Sequence, residues 1–83
     1  MKFKAEIDVM PLEALLDPQG KAVSQSMVNL GLAEITNVRI GKHIRIFIEA
    51  SSQAEAEAKT DEACKKLLVN AIMEGYSFQV SAI

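Results

Sequence analysis

The sequence has one cysteine, one histidine, no tryptophan and two prolines in 83 residues. The single cysteine, Cys64, excludes an internal disulfide, and the single histidine, His43, leaves the usual transition-metal ligand set incomplete. No apolar run approaches the roughly 18 residues that a membrane span needs, and the amino terminus, MKFKAEIDV, alternates charge with hydrophobicity where a secretion signal would be continuously apolar. We therefore predict a cytoplasmic protein with no metal site and no membrane contact.

The balance of charge and hydrophobicity is that of an ordinary globular domain. Hydrophobic residues make up 49% of the chain and charged residues 24%, with a formal net charge of -2 and a pI near 5.3. This charge gives no general attraction to nucleic acid or anionic lipid. With 83 residues, the chain is predicted to form one domain over residues 1–83. A domain of this size buries only about 60% of its unfolded surface, so we expect self-association.

Strict alternation predicts a strand at each end of the chain. In residues 2–9 the apolar side chains point one way and the charged ones the other, and Pro11, which cannot donate to a sheet hydrogen bond, follows. Residues 76–83 repeat the pattern, with apolar side chains at every second position. Both segments suit a sheet with one buried and one exposed face.

A first helix is predicted from about Pro18 to Leu30. Asp17 is a favoured N-cap, proline suits the first helical position, and Gly31 is a good C-terminal stop. Gly20 lies on the apolar face of this helix, together with Val23, Met27 and Leu30. Because a helical glycine costs about 1 kcal/mol relative to alanine, we expect the sheet or a partner chain to approach the backbone closely there.

The central stretch EITNVRIGKHIRIFIEA predicts two strands around a tight turn. A three-residue loop, Gly41-Lys42-His43, pairs Ile40 with Ile44 and Val38 with Ile46, and so keeps all the aliphatic side chains on one face. A two-residue turn would mix core and surface positions. We therefore favour the odd-length loop or a bulge.

A second helix is predicted from about Gln53 to Val69. It opens with the capping box formed by Ser52 and Glu55. Its solvated side carries acid-to-base pairs four residues apart, in the order that the helix dipole prefers. The predicted core stripe consists of Ala56, Thr60, Cys64, Leu67, Leu68 and Ala71.

The element order is therefore β-α-β-β-α-β, an α+β fold. Two helices on one face of a mainly antiparallel four-stranded sheet are the economical arrangement. The other face of the sheet then has no helix to cover it, and its mixed polarity suits association with another chain. The residues predicted there are Lys4, Glu6, Arg45, Phe47, Glu49, Gln79 and Ser81.

The Gly20-Lys21 pair raises the question of a phosphate-binding loop. A Walker A loop has a further glycine five residues before the Gly-Lys pair, and Ser or Thr after it. Here those positions hold Leu15 and Ala22. Asp17 also places negative charge at the helix start, where an anion would bind. A capped helix start is the better interpretation, with a partner contact as the second.

Other chemical sites are also poorly supported by the sequence. RNA-binding domains share this element order, but RIGKHIRIFIEA offers isoleucine or arginine where their RNP1 motif has aromatic residues, with His43 and Phe47 as the only rings. No serine, cysteine or carboxylate is placed near His43 by the predicted spacing, so a turn-edge histidine is favoured over a general base. Cys64 on an apolar stripe is typical of a buried small hydrophobe. We predict no catalytic residue.

Three stretches carry a resemblance to a known family. They are Asp17-Pro18-Gln19-Gly20-Lys21, Val38-Arg39-Ile40-Gly41-Lys42, and the segment that contains Leu67, Leu68, Asn70 and Tyr76. With the element order, they resemble the PurS family, the small subunit of phosphoribosylformylglycinamidine synthase, over nearly the whole chain. The sequence departs from the family pattern at Ala71, where proline is usual, and at Gly75, where an acidic residue is common.

The resemblance implies a PurS-like fold and an accessory role in de novo purine biosynthesis. It implies two partners: a large synthetase subunit, which binds formylglycinamide ribonucleotide, ATP and Mg, and a glutaminase subunit that releases ammonia. The small subunit would bridge them and assist ammonia transfer, as a homodimer or tetramer joined through its sheets, with no cofactor of its own. The expected interface residues are Asp17, Pro18, Gln19, Gly20, Lys21, Arg39, Gly41, Lys42, Arg45 and Phe47.

Two other functions stay open on the residues alone. Ligand-binding regulatory modules share this topology and size, so a small-molecule-sensing domain is the main alternative. Its mark would be a ligand at a subunit interface that raises the melting temperature. A free-standing enzyme would depend on His43, because no other side chain here has an ordinary pKa near neutrality.

Overall fold

The structure, a computed structural model, describes all of residues 1–83. Its elements in chain order are β1 (Lys2–Pro11), α1 (Pro18–Asn29), β2 (Lys42–Glu49), α2 (Gln53–Ala63), a π-helical turn (Cys64–Leu68) and β3 (Glu74–Ala82). The α+β class is confirmed, and both helices begin at the predicted residues. Neither helix has the length and apolar character of a membrane span.

One antiparallel sheet of three strands, in the order β2-β1-β3, forms the centre of the molecule. The predicted fourth strand, before Gly41, does not form. In the centre of the sheet, Ile7 lies opposite Ile44 on one side and Phe78 on the other. The apolar side chains of the three strands therefore share one face, as their alternation predicts.

The predicted hairpin around Gly41-Lys42-His43 is wrong. β2 begins at Lys42, opposite Val9 near the end of β1, so His43 lies within the strand and the residues before Gly41 run past the end of the sheet. Asn37 has a left-handed backbone (φ 57°), which interrupts the extended run that the alternation predicted. β1 already has a neighbour on each side, so a further strand could add only at an outer edge.

The second helix packs across the inner face of the sheet, in contact with all three strands. Its N-cap forms as predicted: the Ser52 hydroxyl accepts a hydrogen bond from the Glu55 backbone N–H at 3.2 Å. The Glu55 carboxylate reaches one residue further back than a standard capping box, to the backbone N–H of Ser51 at 3.3 Å. The residues of α2 and the π turn that are buried against the sheet are Ala56, Thr60 and Cys64.

The end of the second helix differs from the prediction. The Val69 N–H donates to the Cys64 carbonyl at 3.0 Å, five residues back, so one extra residue enters the last turn. This rotates the following side chains. Val69 is consequently buried, while Leu67, predicted in the core, is 83% exposed. Ala71, also predicted there, is exposed.

The first helix does not pack on the sheet, so the prediction of two helices on one sheet face is wrong for α1. It makes no substantial contact with any strand or with α2. It ends as predicted at Gly31 (φ 79°), whose N–H donates to the Val28 carbonyl at 3.1 Å while the Leu32 N–H reaches Met27 at 2.8 Å. We call residues 18–40 the arm, and the three strands with α2 and the π turn the body.

The core of the body lies between the sheet and α2. Its buried residues from β1 are Phe3, Ala5, Ile7 and Val9. The opposite side of the sheet, which we call the bare face, has no helix over it, as predicted. Its residues are Lys4, Glu6, Asp8, His43, Arg45, Phe47, Glu49, Gln79 and Ser81.

Candidate partner-binding site

At the base of the arm, the structure brings together two segments identified from the sequence, Asp17–Lys21 and Val38–Lys42. The Asp17 carboxylate, in a residue only 8% exposed, accepts a hydrogen bond from the Gly20 N–H at 3.0 Å and another from the Ile40 N–H at 2.8 Å. The first is the predicted N-cap. The second joins the helix start to the segment that contains Arg39 and Gly41, which the sequence did not predict.

Electrostatics favour the ionised form of Asp17. The hydrogen bond from the Ile40 backbone, followed by that from Gly20, lowers the pKa of Asp17 below its ordinary value. The nearby positive charge of Arg39 lowers it further. The carboxylate is therefore a fixed negative charge at the start of α1, where a phosphate would otherwise bind.

The Arg39 side chain is occupied by backbone carbonyls. Its guanidinium donates to the Leu12 carbonyl at 2.8 Å and to the Leu15 carbonyl at 3.2 Å. Those carbonyls belong to the segment that connects β1 to α1. Arg39 therefore holds this segment, and its guanidinium is not free to bind a phosphate beside Gly20-Lys21.

A cleft of about 490 Å³ lies between the base of the arm and the body. Asp17 and Gln19 line one side of it, and Met73 and Glu74 line the other. Lys42 forms an ion pair with Glu74 at 3.7 Å. The cleft mixes apolar surface with charges of both signs, which suits a partner's protein surface as well as a small polar ligand.

Arg45 and Phe47 lie on the bare face, separate from the cleft. Phe47 is 59% exposed, an unusual position for a large aromatic side chain. The Arg45 Nε donates to a Glu6 carboxylate oxygen at 2.5 Å across the strand pair. The predicted interface residues thus form two separate surfaces, one at the base of the arm and one on the bare face.

The surroundings of His43 were not predicted from the sequence. Its Nδ1 lies 2.7 Å from an Asp8 carboxylate oxygen, and its Nε2 contacts the Glu6 carboxylate. Asp8, followed by Glu6, raises the pKa of His43 above its ordinary value. The correct strand register, with Asp8 opposite His43, would have revealed this cluster; the predicted hairpin placed His43 in a loop and hid it.

The surroundings of Cys64 and Tyr76 raise the pKa of each side chain and so disfavour its reactive, deprotonated form. Cys64 is buried, and desolvation raises the pKa of its thiol, which disfavours the nucleophilic thiolate. The Tyr76 hydroxyl donates to the Asp61 carboxylate, which raises the pKa of Tyr76 to about 12. Both the Cys64 thiol and the Tyr76 hydroxyl are therefore held in their protonated forms.

Comparison with known proteins assigns the chain to a family. Residues 4–82 match the family model of PurS, described as phosphoribosylformylglycinamidine (FGAM) synthase. The chain is also 39% identical over 81 residues to the phosphoribosylformylglycinamidine synthase subunit PurS of Synechocystis sp., an alignment that covers 98% of this chain and 81% of that protein.

Two solved structures share the fold over almost their full length. One is PurS of Methanocaldococcus jannaschii, described as one of the subunits of formylglycinamide ribonucleotide amidotransferase in the purine biosynthetic pathway, with TM-score 0.85, 27% identity and 98% of each chain covered. The other is a chain in the structure of PurLQS from Thermotoga maritima, with TM-score 0.88, 28% identity and coverage of 98% of this chain and 99% of that one. The family model and the Synechocystis relative each span most of the sequence, and on that basis this chain belongs to the PurS family.

Proposed function

We propose that this chain is the accessory subunit of a phosphoribosylformylglycinamidine synthase in de novo purine biosynthesis. It would bridge a glutaminase subunit and a large synthetase subunit and assist the transfer of ammonia for the ATP-dependent amidation of formylglycinamide ribonucleotide. The observation that carries this proposal is the whole-length likeness to PurS, including a chain of the PurLQS structure from Thermotoga maritima.

The exposed surface of the isolated chain supports an assembly role. A monomer of 9.1 kDa is expected to expose about 4,900 Å², whereas this chain exposes 5833 Å². The excess of roughly 900 Å² is close to what one partner buries in a standard protein–protein interface. We therefore expect a second copy of the chain to cover part of this surface, giving a homodimer or a tetramer.

Two features of the exposed surface support contact with a second copy. The outer edge of β2 has no strand neighbour, and such an edge can pair with another chain. The arm carries a row of exposed aliphatic side chains, in α1 and in the segment that follows it, namely Val28, Leu30, Leu32 and Ile35. Both features suit contact with a second copy, and they leave other surfaces for the two partner subunits.

The expected interface residues then divide into two groups. Asp17 and Gly20 are buried at the base of the arm, so they shape the surface instead of touching a partner. The other members are exposed and, in this proposal, would contact a partner directly; they are Pro18, Gln19, Lys21, Gly41, Lys42, Arg45 and Phe47. Arg39 is partly exposed, but its guanidinium is taken by backbone carbonyls.

The chemistry belongs to the partner subunits in this proposal. ATP and Mg would bind to the large subunit, and glutamine would be hydrolysed in the glutaminase subunit. The buried thiol of Cys64 and the carboxylate-paired ring of His43 are consistent with a chain that supplies contacts and no reacting group. As a component of a biosynthetic ligase, the protein is expected in the cytoplasm.

Reconstitution tests the proposal. The purified chain should neither hydrolyse glutamine nor turn over ATP, and its addition to the other two subunits should restore glutamine-dependent amidation of formylglycinamide ribonucleotide. A matched pair of variants locates the contact: Phe47→Asp on the bare face should block assembly, while Leu67→Asp, at a residue 83% exposed on the far side of the body, should not. Full amidation by the two other subunits alone would overturn the adaptor role.

A further inference from the structure

The orientation of the arm depends on very few contacts. α1 makes no substantial contact with the sheet or with α2, and the radius of gyration is 16.4 Å. A compact domain of 83 residues would have a radius near 12 Å. Whatever fixes the arm relative to the body must therefore lie at its base, where residues 12–17 leave the body and residues 38–41 return to it.

Two charged side chains tie these segments together. Asp17 accepts the N–H groups of Gly20 and of Ile40, so one carboxylate joins the helix start to the returning segment. Arg39, the neighbour of Ile40, donates back to the carbonyls of Leu15 and Leu12. Hydrogen bonds that involve an ionised group are the strong ones. The two that Asp17 accepts are buried or partly buried, and the two that Arg39 donates are exposed.

The backbone at the base of the arm is closely packed, and neither Gly20 nor Gly41 has room for a side chain. A Cβ atom on Gly20 would lie 2.2 Å from the Val38 carbonyl oxygen and 2.6 Å from a carboxylate oxygen of Asp17. A Cβ on Gly41 would lie 2.3 Å from the Val9 carbonyl oxygen, where the returning segment meets β1. The close approach predicted from a helical glycine is therefore made by the chain itself.

From these contacts we propose that Asp17 and Arg39 form a latch that fixes the arm at one angle to the body. With the latch closed, the arm and the body are one rigid piece; with it open, α1 stays folded but swings on the two connecting segments. A latch that fixes the arm also fixes the position of its exposed apolar side chains, to which a partner would bind. This consequence for partner binding rests on the proposed function. The latch itself is a property of the isolated chain.

Residual dipolar couplings of the full chain, recorded in a weakly aligning medium at a protein concentration at which it is a monomer, test this directly. Asp17→Ser keeps an N-cap for α1, but its shorter side chain cannot also hold Ile40. Glu34→Ser is the matched control, because it removes one carboxylate from an exposed arm residue that makes no hydrogen bond. Arg39→Met is the second variant; it keeps the aliphatic stem and removes every donor.

In the unmodified chain and in Glu34→Ser, the couplings of α1 and of the sheet should fit a single alignment tensor. In Asp17→Ser and Arg39→Met the α1 couplings should shrink, and the Ile40 amide should exchange with solvent at least about tenfold faster, while sheet amides such as Ile7 stay unchanged. The latch is refuted if both variants still share one tensor with Ile40 fully protected, or if the unmodified chain already needs two. Because no activity is measured, this result is independent of the reconstitution.

Discussion

The body and the arm are stabilised by different forces. In the body, Ala5, Ile7 and Val9 are at most 1% exposed, and they form an ordinary hydrophobic core with Cys64 of the π turn and Val69. In the arm the buried elements are the Gly20 backbone and, at its base, the Asp17 carboxylate, while Leu30 is 73% exposed. The body therefore depends on apolar burial, and the arm depends on hydrogen bonds at one end.

This difference separates two uses of apolar residues in a chain too small to bury all of them. Those of β1 stabilise the fold of the single chain. Those of the arm contribute little until another chain covers them, because an aliphatic side chain stabilises the protein only when its surface is removed from water. The same substitution should therefore have a different effect in each region, and that contrast can be measured.

The largest expected effect is the loss of a core side chain from the body. Ile7→Ala should lower the free energy of unfolding by about 2–5 kcal/mol, because the fully buried side chain leaves a cavity under α2. Ile35→Ala, at a residue 40% exposed beyond α1, should change it by less than about 0.5 kcal/mol in dilute protein. Urea denaturation at low protein concentration measures both.

Raising the protein concentration sharpens this contrast. The unmodified chain should become more resistant to urea as copies associate, and Ile35→Ala should lose part of that gain while Ile7→Ala keeps it. Equal losses for both isoleucines in dilute protein would show that the arm is as much a part of the core as the sheet is.

A smaller effect is expected at the glycines. Gly20→Ala should stabilise α1 by about 1 kcal/mol on helix propensity alone. The added methyl group would meet the Val38 carbonyl oxygen at 2.2 Å, however, so we expect a net loss of about 1–3 kcal/mol. Gly75→Ala in β3 is the matched control, because its Cβ would meet only the flexible Leu12 side chain, at 3.7 Å. In thermal unfolding, the change in melting temperature should differ between the two variants in sign, or clearly in size.

The comparison also separates what the sequence predicted from what it did not. The body was largely predictable, because the alternation in β1 and the N-cap at Ser52 are local signals. Val38 and Ile40 carry the same alternation around Arg39 but form no strand. Strand pairing depends on a neighbour with a free edge at the right place, and that is a property of the whole sheet, not of the segment.

The candidate site was predicted only as a set of segments. The DPQGK and VRIGK stretches were singled out by resemblance, and their contact through Asp17 and Ile40 was invisible because nothing in a sequence pairs residues 23 positions apart. The π turn was missed for a similar reason, since a single inserted residue leaves no sign in the 3.6-residue period. The His43 cluster was lost with the incorrect register. The single-domain prediction and the partner contacts stay predictions.

The smallest effect concerns the bare face of the body. Asp8 and Glu6 raise the pKa of His43 above 6.5, so their stabilising contribution is complete below the unfolded pKa and is lost as pH rises through the folded one. The same contacts lower the pKa of Glu6, whose contribution is lost as pH falls through its folded pKa. The cluster should therefore be most stabilising between the two ranges, by a modest amount because it is solvent-exposed.

NMR titration of the His43 ring should give a pKa that falls in Asp8→Asn and falls less in Glu6→Gln, in the order of their contributions. A titration unchanged by both substitutions would show that the three side chains do not interact in solution.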